Sequence, residues 1–211
     1  MPESAKTIIR SRKCGFKDVY VAKVKTNTST AYETDTPYKL ARGISAKITD
    51  KFNREKVYSD DGVEDVIDSY EETEVELEVS SLAPQDYATL FDNLYDKGFL
   101  VKGAEDKAQE VALGYRCKQR NGKYEFVWLY TGVFERPEQS ETTKKEKVEV
   151  ASQTLKGSFY QRNKVDTINN KEINAYQIVV DESNLVSDDT DAKTAIEDWF
   201  SKVQEYKAQE V

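Results

Sequence analysis

The chain has 211 residues, 38% apolar and 33% charged, with 13 Tyr and a formal net charge of −8. That is long enough for one main domain with a real core, and too aromatic for a disordered segment. It has no His, which removes the commonest general base, the usual nucleophilic triads and most transition-metal sites.

Charge is unevenly placed: residues 1–59 carry +7, residues 60–110 carry −13 and the remainder −2. A basic start and an acidic middle suit a subunit that meets copies of itself with opposite signs facing, although a solvated surface has the same composition. No run is apolar enough to cross a bilayer, and the first ten residues do not read as a secretory signal. Cys14 and Cys117 are expected to be free thiols of a reducing compartment.

Residues 1–14 read as an arm, basic through Lys6, Arg10, Arg12 and Lys13, with Ile8 and Ile9 as its anchors. From Gly15 the pattern is β, with Val19 and Val21 alternating with Tyr20 and Ala22. Residues 26–37 are polar and read as a loop. Ile44, Ala46 and Ile48 then alternate with polar neighbours as a half-buried strand. Ser59-Asp60-Asp61-Gly62 predicts a turn. The sharpest alternation runs over residues 72–79. Val75, Leu77 and Val79 point one way and Glu72, Glu74, Glu76 and Glu78 the other, so the acidic face must be well hydrated.

Residues 84–95 predict a helix: Pro84 suits its first position, Ser81 or Ala83 its cap, and Tyr87, Leu90, Phe91 and Leu94 form one stripe, with Gly98 as the stop. Asn121-Gly122 predicts a two-residue hairpin turn with positive φ at both positions. In that register Cys117 faces Phe126, Tyr115 faces Trp128 and Leu113 faces Tyr130 on one sheet face, and Lys118 opposes Glu125. The second strand, apolar on both sides, needs two covers: the core and either the helix or another subunit. Residues 135–147 read as a loop. Residues 147–150 and 154–161 continue β, with Gly157 as a possible bulge. A late strand over 174–180 and a helix over 189–206 follow. Ala192, Ala195, Ile196, Trp199 and Val203 are that helix's apolar face, and Asp188, Asp189 and Asp191 lie near its start.

Nothing in the chain nominates a catalytic centre. There is no glycine-rich phosphate loop and no metal-spaced Cys pair, and Asp60-Asp61-Gly62 with Glu64 and Asp65 lacks the alternating oxygen ligands of a calcium loop. The expectation is no enzyme, no cofactor and no metal. The net negative charge argues against tight nucleic-acid binding.

Several pieces together resemble the major tail protein family of long non-contractile phage tails. They are Gly15-Phe16-Lys17-Asp18-Val19-Tyr20-Val21-Ala22, Tyr58-Ser59-Asp60-Asp61-Gly62 and Glu74-Val75-Glu76-Leu77-Glu78-Val79. They continue with Val111-Ala112-Leu113-Gly114-Tyr115, Asn121-Gly122-Lys123-Tyr124, Phe126-Val127-Trp128-Leu129-Tyr130, and residues 151–163 with Gly157-Ser158-Phe159 and Arg162-Asn163. The resemblance covers residues 15–163; the basic arm before it is longer than the family's pattern. It implies a mainly β (α+β) tail-tube fold, a β-sandwich or barrel with one flanking helix. Residues 1–14 would be the arm, 15–163 the tube domain, and 164–211 a C-terminal extension with a strand and a helix.

The resemblance further implies a structural virion protein. Hexameric rings would stack into a tube around a tape-measure protein, meet tail-end proteins, and conduct DNA passively to the host. The chain would reside in the virion tail, and in the host cytoplasm during assembly. On that reading Glu72, Glu74, Glu76 and Glu78 are candidates for the lumen wall, and Asp60, Asp61 and Asp65 for contacts between rings with Lys6, Arg10 and Arg12 of a neighbour. The alternative is a β-sandwich surface-binding module, a decoration or adhesin domain, which would show an exposed aromatic platform.

Overall fold

The computed structural model describes residues 8–59, 62–138 and 152–206. Among these residues the chain is mainly β with two α-helices, as expected. In order it forms β1 (Lys13–Asn27), β2 (Tyr32–Thr34), β3 (Tyr38–Ala41), β4 (Gly43–Ser59), β5 (Gly62–Val79), α1 (Pro84–Phe91), β6 (Leu94–Asp96) and β7 (Phe99–Val101). There follow β8 (Val111–Gln119), β9 (Tyr124–Phe134), β10 (Gln153–Tyr160), β11 (Val165–Ile168), β12 (Lys171–Asn174), β13 (Gln177–Asp181) and α2 (Thr190–Glu197).

Nine strands make one sheet, in the order β2-β1-β8-β9-β10-β5-β4, with β3 also on β1 and β13 also on β9. The sheet curls like a barrel. Its two ends meet where Phe16 and Val19 of β1 lie against Gly43 at the start of β4. Inside are Val19, Val21, Val75, Leu77, Val79, Leu113, Leu129, Leu155 and Phe159. α1 caps this core with Tyr87, Leu90 and Phe91.

The stripe over 84–95 is helical only to Phe91. Asp92 takes the left-handed conformation (φ 56°) and ends the helix, leaving Leu94 62% exposed in β6. Gly98 (φ 88°) serves instead in the turn of the β6–β7 hairpin, beside Lys97 (φ 49°). Ala83 is the cap residue, and its N–H donates to Asp86 Oδ2 (2.6 Å) in place of a side-chain cap. Residues 26–37 contain a short strand, β2, paired to β1.

The β8–β9 hairpin differs from expectation by one residue. Its loop is Arg120-Asn121-Gly122: Gln119 N–H donates to Lys123 O (2.8 Å), and Gly122 alone has positive φ (88°). A type I turn closed by a left-handed glycine adds one residue to the two-residue form. Asn121 is held there by Ser11 Oγ and Ser183 Oγ, partners far away in sequence. Cys117 therefore faces Glu125, Tyr115 faces Val127, Leu113 faces Leu129, and Lys118 faces Tyr124. A slip of one residue exchanges sheet faces. Tyr115 and Leu113 lie with Val127 and Leu129 in the barrel core, while Phe126 and Trp128 form a second cluster outside it.

The cover of that outer cluster is the chain's own C-terminal segment. Trp199, Phe200 and Val203 pack on Phe126 and Trp128. The Trp128 indole donates to Trp199 O and the Tyr130 hydroxyl to Gln204 O, both at 3.0 Å. The helix expected over 189–206 is helical only over 190–197. Beyond it Trp199 and Gln204 meet the sheet through their carbonyls, which a continuing helix would use internally. The late strand expected over 174–180 splits. β12 ends at Asn174 after a hairpin with β11, through Asn169 and Asn170 (φ 50° and 62°), and β13 joins the main sheet.

Gly157 is not a bulge. β10 stays in register with β5 and β9 through it. A Cβ there would lie 2.7 Å from the Phe134 ring and 2.8 Å from Val133 O, so close packing explains the glycine. The continuation over 147–150 lies outside the described residues.

Candidate functional site

The acidic strand is placed as its alternation demands. Val75, Leu77 and Val79 are buried in the barrel and Glu72, Glu74, Glu76 and Glu78 face outward from it. β5 is flanked by β4 on one edge and β10 on the other, and the register opposes the glutamates with basic or hydroxyl residues. Lys51 is opposite Glu72, Lys47 and Lys156 flank Glu76, and Ser45 and Thr154 flank Glu78. Lys51 Nζ lies 3.4 Å from Glu72 and also bonds Glu74, which raises its pKa. Hydrogen bonds from Ser152 (2.7 Å) and Ser45 (2.9 Å) hold the Glu78 carboxyl below the ordinary range. The four glutamates and three lysines leave this patch near −1 rather than −4. The sequence pattern located the glutamates; the lysines that answer them come from strands whose register only the fold sets.

Beyond residue 52 of β4 and residue 70 of β5 the hairpin continues as a two-stranded ribbon. A register shift between Lys51 and Phe52 leaves Glu71 as an extra residue at its base, and a bulge there bends and twists the strand pair. Tyr70 pins this base. Its ring stacks on Tyr176 at 4.2 Å and meets the Phe52 edge at 5.7 Å. Its hydroxyl donates to Phe159 O (2.9 Å), and burial pushes that hydroxyl's pKa up to about 12. Farther out Arg54 grips Asp68 with two hydrogen bonds (2.7 and 2.9 Å). Phe52 and Ile67 are 53% and 51% exposed. Among the described residues no strand is paired to the outer edge of the 17-residue β4, and only its Gly43 end is closed off, by Phe16 and Val19 of β1.

Of the residues read as ring-to-ring contacts, Asp65 sits on this ribbon opposite Val57. Lys6, Asp60 and Asp61 lie outside the described residues; Ser59 and Gly62, which bracket the expected turn, are paired. Arg10 and Arg12 are exposed, and neither side chain has an ion pair among the described residues. Their backbone docks on the same chain. Ile9 exchanges hydrogen bonds with the Asn184 side chain (2.8 and 3.1 Å), and Arg12 O accepts from Arg120 N–H.

One charged centre has no periodic signal in the sequence. Arg162 is fully buried. Its guanidinium lies 4.2 Å from the Tyr130 ring centre and 5.1 Å from that of Tyr32. It pairs with Asp166 and with Glu205 (2.8 Å). Burial opposes its charge, but Asp166, Tyr130 and Glu205 outweigh that and raise its pKa. It ties the C-terminal segment to the sheet. Cys14 and Cys117 are free thiols, and burial pushes the Cys117 thiol up. Among the described residues no cluster of acids and thiols is arranged to hold a metal, and no helix is long and apolar enough to cross a membrane.

No family model and no curated protein sequence matches the chain. A solved structure of the anti-feeding prophage cap (AFP tube terminating cap) is similar over 86% of this chain and 99% of that chain, at 9% identity and a TM-score of 0.42.

Proposed function

We propose that the chain is the repeated tube subunit of a long non-contractile phage tail, a structural protein and not an enzyme. On this reading hexameric rings close through the open β4 edge and stack into a conduit around a tape-measure protein. The observation that carries it is the β4 edge, which beyond its Gly43 end has no partner among the described residues and whose outer half forms one edge of a ribbon unpaired there on both edges. A free edge of that length is a template for another chain. A heterologous contact that closes gives a ring, and matching ring faces give a tube. Lys47, Lys51, Arg54 and Lys56 along β4 also fit the simpler role of charges that keep an edge from aggregating.

The outward face of β4, β5 and β10 is the proposed lumen wall. Its glutamates and lysines alternate across strands, so a passing polyanion meets paired charges and a hydrated surface, with no continuous basic track to hold it. The exposed ribbon, with Phe52 and Ile67, is the proposed contact between rings.

Electron microscopy of the purified protein at high concentration tests this. Six-fold rings or tubes with an axial channel are expected. A protein that stays monomeric or trimeric at every concentration would refute it and favour a surface-binding module. In assembled tubes, reversing Glu72, Glu74, Glu76 and Glu78 to Lys should slow DNA ejection; unchanged ejection would remove these residues from the wall.

A further inference from the structure

Among the described residues β13 is paired on one edge only, with β9. Tyr130 N–H donates to Tyr176 O, so the hydrogen-bonded pairs of this antiparallel ladder are Ile178 with Trp128 and Val180 with Phe126. Gln177, Val179 and Asp181 therefore turn their N–H and C=O away from β9. No strand among the described residues takes that outer edge, and Val179 is 46% exposed.

A cleft of about 570 Å³ opens beside it. Four consecutive residues, Ile178, Val179, Val180 and Asp181, border the cleft. Odd and even positions together mean that the strand presents its edge rather than one face. The facing wall is α2, through Ala192 and Ala195. α2 buries none of its residues fully, and Ala195 and Ile196 touch the cluster on the outer face of the sheet only in part. Trp199 lines the cleft too, and its indole N–H has no partner among the described residues. The rim is acidic. Asp188, Asp191 and Asp198 are exposed, with no ion pair among the described residues, and Lys202 is the one basic lining residue.

We propose that this cleft is a strand-addition site, which takes an extended segment of a second protein in which apolar residues alternate with lysine or arginine. An open sheet edge beside a helix offers main-chain hydrogen bonds for affinity and the space between strand and helix for alternate side chains. The apolar walls Ile178, Val180 and Ala195 suit the inward residues, and the acidic rim selects the basic ones. This site involves β13 and α2 and does not depend on ring closure through β4.

The test uses the full chain and a labelled acetylated probe, Lys-Val-Lys-Val-Lys-Val-Lys, in fluorescence anisotropy. The same probe N-methylated at alternate amides keeps its charge and loses its outward hydrogen bonds. Binding of the plain probe, weakened about tenfold or more by methylation, is expected, since two lost hydrogen bonds are worth about that factor. Val179→Pro should weaken the plain probe similarly. Its N–H points outward, so the ladder to β9 survives a proline there, and circular dichroism checks the fold. Asp188→Asn with Asp191→Asn should weaken binding less and reduce its salt dependence. Equal binding of both probes, or none, overturns the proposal. Loss of self-association in Val179→Pro without probe binding also overturns it and assigns the edge to a second copy. If Val179→Pro does not fold, the pair of probes still decides. Rings that persist in Val179→Pro leave the tube reading intact whatever the probes show.

Discussion

β9 and the outer half of the β4–β5 ribbon are both antiparallel β-structure, and they are stabilised in opposite ways. β9 is buried on both faces, by the barrel core on one side and the C-terminal segment on the other, and from Phe126 to Thr131 every residue is buried. Among the described residues the ribbon has neither cover. Residues 53–56 and 66–69 are exposed, and its described attachments are cross-strand pairs such as Arg54–Asp68 and the Tyr70 clamp at its base. A two-stranded ribbon without a packed face is only marginally stable in water. Stability is therefore concentrated around β9, whereas the ribbon is an exposed surface held by few contacts.

The largest expected effect comes from removing the centre of the outer β9 layer. Trp128→Ala should cost about 3–5 kcal/mol in urea denaturation. A cost near that of a surface substitution would mean that the C-terminal segment is not part of the folded core. Next, Arg162→Ala should cost about 2–3 kcal/mol, less than a fully buried pair because Asp166 and Glu205 keep some water contact. Arg162→Met should cost less than Arg162→Ala if packing between Tyr32 and Tyr130 matters beside charge. Equal costs for the two would assign the whole effect to the ion pairs.

Gly157→Ala should cost about 1–3 kcal/mol, since one of the atoms it meets is the Val133 carbonyl, which cannot rotate aside. A neutral outcome would show that β9 and β10 can separate slightly.

A smaller effect is pH-dependent. Burial alone would raise the Asp18 carboxyl, but hydrogen bonds from Lys39 (2.8 Å) and Arg116 (2.7 Å) outweigh it and hold the carboxyl below its ordinary 3.8. A folded value below the unfolded one adds stability that is present above pH 3.8 and is lost as pH falls through the folded pKa. Asp18→Asn should therefore flatten the acid limb of a stability–pH curve measured by thermal unfolding. An unchanged limb would place the acid sensitivity elsewhere. The smallest effect on stability is expected on the ribbon. Phe52→Ser with Ile67→Ser should change it by about 0.5 kcal/mol or less per site, while rings seen by electron microscopy should no longer stack. Normal stacking in that variant would break the assignment of the ribbon to assembly.

The alternation of Glu72 to Val79 and that of Ala46 and Ile48 in β4 were legible because a period of two needs no partner to be read; Ile44, expected on the same half-buried face, falls at a register shift between Gly43 and Ser45 and is 52% exposed. So were the β-rich class and the short stripe of α1. What the sequence hid was decided by contacts across the chain. Asn121 is drawn into a three-residue loop by Ser11 and Ser183, and that single added residue exchanges the faces of β8 and β9. Lys47, Lys51 and Lys156 answer the glutamates only because register places three strands side by side. Arg162 is buried because Tyr32, Tyr130, Asp166 and Glu205 converge on it from four separate segments. Periodicity is a local property of the chain; register, burial of a charge and an unpaired edge are properties of neighbours, which only tertiary structure supplies.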